Sequence, residues 1–156
     1  MTSRRVLSIA AAVLVGAAGL GLAPTTASAS ARYVTTQIGV RYRGDGSVPK
    51  TALPAIWVAS ADRKHCMLAS VVSVQTSGDY IYVQDGCADG QSALGQVQFW
   101  YRGDSYVRRC RNNLGVDTVV RCNFDWPEGP TKVAQAASKH YPDGPVTYGL
   151  ASPFSE

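Results

Sequence analysis

From Val34 the chain alternates with a period of two. Val34, Thr36, Ile38, Val40 and Tyr42 are apolar or β-branched, whereas Thr35, Gln37, Arg41 and Arg43 are polar. Successive side chains of a strand point to opposite faces, so this alternation predicts a half-buried β-strand with its even positions inward. "AIWVAS" (55–60) predicts a short apolar strand after the turn-rich "GDGSVPKTALP". "HCMLASVVSVQT" (65–76) and "YIYVQ" (80–84) flank Ser77-Gly78-Asp79 and predict a hairpin. "GQVQFWYR" and "SYVRRCRN" lie on either side of Gly103-Asp104, and "TVVRCNFDW" (118–126) follows the loop over 112–117. Pro127, Gly129 and Pro130 end that run.

Only "TKVAQAASKHY" (131–141) has helix chemistry, with Thr131 as an N-cap and an Ala-rich body. Its amphipathicity is weak, so a strand stays open there. "PDGP" then turns the chain into a Tyr/Gly tail. The expected fold class is all-β: one small antiparallel β-sandwich or barrel of about six to eight strands, with one short segment near the C-terminus that is either a helix or a further strand.

The ends change the picture of the working protein. Residues 1–29 carry Arg4 and Arg5, an apolar run from Val6 to Leu22, and small residues at Ala27-Ser28-Ala29. That is the layout of a secretory signal peptide, with cleavage after 29 or after 31. "SRRVL" also resembles a twin-arginine signal, although the short n-region and strong apolar run favour the general route. The remaining 30–156 form one domain of ordinary size, with no second apolar stretch able to span a membrane. Without Arg4 and Arg5 there are 13 basic against 11 acidic residues, a net charge of +2. So small an excess gives no argument for nucleic acid as a partner.

All four cysteines (Cys66, Cys87, Cys110, Cys122) lie in the mature part, which reads as two disulfides in an exported chain. Three connectivities exist. Cys66 and Cys87 are nearly symmetric about the Ser77-Gly78 turn, and Cys110 and Cys122 about Val116. Each pair facing across its own hairpin gives Cys66–Cys87 and Cys110–Cys122. No C-x-x-C pair and no histidine spacing points to zinc, and no cofactor motif is present.

Candidate chemistry is sparse. "YRGD" occurs at 42–45 and 101–104, and Arg-Gly-Asp is a tripeptide read by adhesion receptors. A hairpin turn explains Gly103 and Asp104 equally well and leaves only arginine to chance. "DGCADGQSALGQ" (85–96) places Asp85, Asp89 and Gly90 at calcium-loop offsets, but Cys87 and Gln96 stand where ligands belong. A solvated turn is the simpler account. His65, His140, Glu128 and Arg109 are the groups a ribonuclease-like enzyme would use, without a spacing that unites them.

Arg102, Arg108, Arg109, Arg111 and Arg121 interleave with Trp100, Tyr101 and Tyr106. Such a face suits a polyanion, but alternation sends Arg108 and Arg109 to opposite sides, and charged edges also protect sheets from aggregation. Trp100 shares a face with Gln96, Gln98 and Arg102. It is therefore either a flat stacking platform or a residue capped by a loop. In the second arrangement, the leading one, Trp100, Trp57 and Trp126 are core or lid. Tyr80 and Tyr82 are same-face neighbours on another strand, and flat aromatics beside Gln and Arg donors suit a sugar ring.

With "DGCADGQSALGQV", "RCRNNLGVDTVVRCNFDWPEG" and the leader, the chain resembles a group of small secreted actinobacterial proteins. Their pattern is an Asp-Gly…Asp-Gly-x-Ser-Ala stretch, a Cys, a Gly-containing loop, a second Cys and an aromatic-Asp…Glu-Gly ending. The match covers roughly residues 79 to 129. The resemblance implies export, a disulfide-bonded β domain and a strand after Glu128-Gly129, and it implies no activity.

The leading functional expectation is a secreted, non-enzymatic binding module for a cell-surface polymer, glycan or protein. Trp100, Tyr80, Tyr82, Arg102 and Arg109 are its candidate ligand contacts, and its partners an extracellular polysaccharide, a cell-wall polyanion or a secreted protein. A small secreted hydrolase or ribonuclease is one alternative. An inhibitor of a secreted protein, presenting the 100–107 hairpin, is the other.

Overall fold

A computed structural model describes residues 32–42, 49, 56–58 (as backbone), 66 and 68–155. The leader, the Gly44-Asp45-Gly46 turn and His65 lie outside the described residues. Ten strands are present: β1 (Arg32–Ile38), β2 (Val40–Arg41), β3 (Ile56–Val58), β4 (Ser70–Gln75), β5 (Tyr80–Asp85), β6 (Ser92–Tyr101), β7 (Asp104–Asn112), β8 (Thr118–Asn123), β9 (Lys132–Lys139) and β10 (Val146–Phe154). They form two five-stranded sheets packed face to face, in the orders β1-β7-β6-β9-β10 and β2-β8-β5-β4-β3. The expected sandwich is thus found. All pairs are antiparallel except β1 with β7, which runs parallel from Arg32↔Ser105 to Ile38↔Arg111.

The core lies between the sheets, where alternation delivers Val72, Val74, Ile81, Val83 and Val120 from one side. Val97, Phe99, Ala134, Ala136 and Phe154 meet them from the other. Trp126 joins this core, 3 % exposed, and its backbone N–H donates to Asp79 Oδ2 at 3.1 Å. Among the described residues no helix is long and apolar enough to cross a membrane.

Several sequence expectations are corrected here. The segment over 131–141 is not a helix: residues 132–139 form β9, hydrogen-bonded to β6 on one side and β10 on the other. Alanine favours helix only when nothing else decides. Here two neighbouring strands satisfy the backbone of β9, and Ala134 and Ala136 fill core positions at 0 % exposure. The Tyr/Gly tail becomes β10, with a bulge between Tyr148 and Ala151.

The first strand also departs from its pattern. Its apolar even positions face outward, with Val34 at 48 % and Ile38 at 61 % exposure. Tyr33, Thr35 and Gln37 share the inner side, where Tyr33 stacks on Tyr106 with centroids 5.1 Å apart. The chain then crosses from one sheet to the other at Gly39. β1 pairs with β7, and two residues later Val40 pairs with Arg121 of β8.

Both disulfides join the expected partners, with Cα–Cα distances of 5.7 Å (Cys66–Cys87) and 5.6 Å (Cys110–Cys122). Cys66–Cys87 closes the open end of the β4–β5 hairpin, as the symmetry argument anticipates. Cys110–Cys122 does not span a hairpin, because β7 and β8 belong to different sheets. It straps the two sheets together through the core, both cysteines being buried. Sequence separations of 21 and 12 residues correspond to about 3 kcal/mol of denatured-state entropy for each bond. Such bonds persist in an oxidising environment.

Candidate functional site

Trp100 stands on the outer face of the β1-β7-β6-β9-β10 sheet, 58 % exposed and not capped. The leading expectation of a core or lid residue is therefore corrected. Its neighbour Phe99 points to the core and is 2 % exposed. Trp100 is exposed because it sits at the last turn-proximal pair but one of the β6–β7 hairpin, opposite Ser105. A small residue there leaves the indole face uncovered.

Four residues back along β6, about 13 Å at the usual strand rise, Gln96 begins a hydrogen-bonded row across four strands. The Arg109 guanidinium on β7 donates to Gln96 Oε1 from Nη2 at 3.0 Å and from Nε at 3.3 Å. Gln96 Nε2 donates to Gln135 Oε1 on β9 at 3.0 Å, and Gln135 Nε2 donates to the Gly149 carbonyl on β10 at 3.0 Å. Arg109 also donates to the Tyr148 hydroxyl at 3.4 Å. Register explains the row: Gln96 is directly opposite both Arg109 and Gln135. The charged end polarises the amides and fixes their orientation, so the row is preorganised. Gln98 lies on the same face between Trp100 and this row.

The far end of the face carries a second aromatic group. Arg111 lies over the Tyr141 ring with Cζ 3.4 Å from its centroid, and Lys139 Nζ lies 4.6 Å from the same centroid. Arg111 also donates to Ser92 Oγ at 3.1 Å. Tyr148, 45 % exposed, stands opposite Ala137 on β9 and reaches the row through its contact with Arg109. The arrangement places an exposed indole, a fixed donor–acceptor row and cationic side chains on one sheet face, which is exposed at Trp100 and covered at Leu94, Gln96, Val107 and Ala137.

The five candidate ligand contacts do not converge. Trp100 and Arg109 share the face just described. Tyr80 and Tyr82 lie on the outer face of the other sheet, on the opposite side of the sandwich, and Tyr82 is only 3 % exposed. Arg102 is at the hairpin tip, its Cζ 5.1 Å from the Tyr101 centroid. Arg102 and Gly103, with φ of 52° and 89°, are the two turn residues, and Asp104 already pairs with Tyr101 in the ladder. The turn is therefore Arg-Gly, one residue earlier than Gly-Asp. Arg108 and Arg109 do fall on opposite sides. Arg108 faces inward and donates to Thr35 Oγ1 at 3.1 Å.

Gln135, Tyr148 and Tyr141 were not legible as site residues. Gln135 lies in the Ala-rich segment with helix chemistry, Tyr148 in the tail and Tyr141 in the turn between them, and only the pairing of β9 with β6 and β10 brings them to this face. His140 is exposed after the end of β9, and His65 lies outside the described residues. Among the described residues no cluster of three or more His, Cys, Asp or Glu side chains could hold a metal ion. Asp89 Oδ1 instead accepts from the Gln91 N–H at 2.8 Å, as a turn carboxylate does.

One carboxyl group is strongly perturbed. Burial pushes the Asp85 pKa up to about 6, against a lowering hydrogen bond from the Cys87 N–H and with help from Asp89 and Asp117. Asp85 is 3 % exposed at the end of β5, sealed from any ligand on the outer faces. Its perturbation concerns stability. Comparison of the chain with protein-family models, curated proteins and solved structures finds no match.

Proposed function

We propose that this protein is a secreted, non-enzymatic binding module that holds an extracellular polysaccharide across the outer face of the β1-β7-β6-β9-β10 sheet. The observation that carries the reading is the exposed Trp100 on the same face as the Arg109–Gln96–Gln135 row. A sugar ring stacks its apolar C–H face on the indole. Its hydroxyls exchange hydrogen bonds with Gln98 and with whatever donor capacity Arg109 and Tyr148 retain. Because the row is already ordered, little conformational entropy is lost on binding. Two disulfides and the signal-like leader support an extracellular setting.

The test is a pull-down of oxidised protein on purified cell wall and insoluble polysaccharides, with a salt titration and a Trp100→Ala variant. Binding that survives salt and fails in Trp100→Ala supports the aromatic platform. Binding lost in salt alone transfers the reading to the arginines and a polyanion. Absence of binding to every polymer overturns it.

A further inference from the structure

One edge of the β1-β7-β6-β9-β10 sheet is formed by β1, which among the described residues pairs with β7 and with no other strand. Four of the nine large apolar side chains exposed in the described residues, Tyr33, Val34, Ile38 and Val40, stand in this strand and the two residues after it. Edge strands are commonly blunted by lysine, proline, a bulge or an inward charge. From Tyr33 to Ile38, β1 has none of these, and its register with β7 is unbroken.

Which backbone groups are open follows from one hydrogen bond. The Gly39 N–H donates to the Arg111 carbonyl of β7 at 2.9 Å. The N–H and C=O groups of successive strand residues point to alternate edges, so Gln37, Thr35 and Tyr33 face β7 as well. Val34, Thr36 and Ile38 present theirs to the open edge, and their side chains share the outer face. An antiparallel neighbour exchanges both bonds with every second residue. A second β1, related by a twofold axis at Thr36, meets this requirement with the same three residues. It sets Val34 against Ile38 of the partner subunit, and Ile38 against Val34 of the partner subunit, so the exposed β-branched side chains pack on each other across the strands. The two Arg32 side chains lie at opposite ends of the pair, where like charges do not meet. Such a twofold contact of one patch with itself closes at two copies. We propose that β1 pairs antiparallel with β1 of a second copy of this chain, joining two five-stranded sheets into one continuous sheet. The pairing rests on the open strand edge and not on Trp100, so its failure would leave the polysaccharide reading untouched, and the reverse also holds.

The experiment measures NMR translational diffusion and amide hydrogen exchange of the oxidised protein over a concentration series. A single strand pair is a small interface, and a reversible monomer–dimer equilibrium with a Kd of about 1 mM or tighter is expected. The amides of Val34, Thr36 and Ile38 should exchange more slowly as concentration rises, and those of Tyr33, Thr35 and Gln37 should gain far less protection. Thr36→Pro removes an open N–H without touching the β7 ladder, and Val34→Lys places a charge at the edge. Each should weaken dimerisation about tenfold or more. Leu150→Lys, at an exposed apolar residue on β10 at the other edge of the sheet, should not. The exchange pattern is read on the unaltered protein and decides the matter even where a variant fails to fold. A protein that stays monomeric, protection that rises alike at odd and even positions, or equal weakening by Leu150→Lys would overturn the proposal.

Discussion

Gly39 packs so closely on Val120 that a methyl group at position 39 would lie 2.6 Å from the Val120 Cβ and 3.2 Å from Cys110 Sγ. This is the point where the first strand leaves one sheet for the other, directly over the inter-sheet disulfide. Val120 is fully buried and cannot swing away. Gly39→Ala should therefore destabilise the domain by about 1–3 kcal/mol, the usual range for overpacking. Adding Val120→Ala to the Gly39→Ala protein should recover part of the loss attributed to the clash. Urea denaturation of the four proteins of that cycle checks both statements, and simple additivity would refute the steric account.

Phe99 and Trp100 are adjacent aromatics with opposite fates. Phe99→Ala removes a core ring that stacks on Tyr106 at 5.4 Å, and should destabilise by about 3–5 kcal/mol. Trp100→Ala should change stability by no more than about 0.5 kcal/mol, because the ring contributes to the surface and not to the core. Thermal melts of the two variants separate these outcomes. A large loss in Trp100→Ala would mean that its role is structural.

Asp85 makes stability depend on pH in a defined direction. Its folded pKa of about 6 exceeds the ordinary carboxylate value near 4, so the folded state binds the proton more tightly. The corresponding stabilisation is fully present below about pH 4, is lost as pH rises to about 6, and is absent above. Asp85→Asn keeps an acceptor for the Cys87 N–H and cannot ionise. Relative to wild type, the variant should gain up to about 3 kcal/mol between pH 4 and pH 7.5. Denaturant titrations across that range measure the difference, and a constant gap between the two proteins would rule out Asp85 as the source.

Gly103 has φ of 89° and open space around the position a Cβ would take. Gly103→Ala is therefore a test of backbone conformation alone. The left-handed region costs an L-residue about 1–2 kcal/mol, and the hairpin should lose roughly that much stability. A neutral effect by calorimetry would show that the turn is not what selects glycine here.

Much of the fold was legible because period-two patterning is a local property. It located the strands around the 76–79 and 102–103 turns, and cysteine spacing identified both disulfides. The argument for Cys110–Cys122 was nevertheless right in outcome and wrong in cause, since its strands lie in different sheets. The candidate site was legible only in part. Trp100, Gln96, Gln98 and Arg109 could be placed on neighbouring strands, but Gln135 and Tyr148 could not.

The sequence by itself determined the strand positions up to residue 126, which residues of each strand share a side, and the cysteine pairing. Each of these depends on alternation or on short separations along the chain. Tertiary structure decided which sheet each strand joins. That choice put Tyr82 and Trp100 on opposite sides of the molecule, turned the even positions of β1 outward, and made a strand of an Ala-rich segment. Alternation fixes a side chain's direction relative to its own strand. It carries no information about which partner strand supplies the next ladder of hydrogen bonds, and that is settled only when both sheets bury their inner faces together.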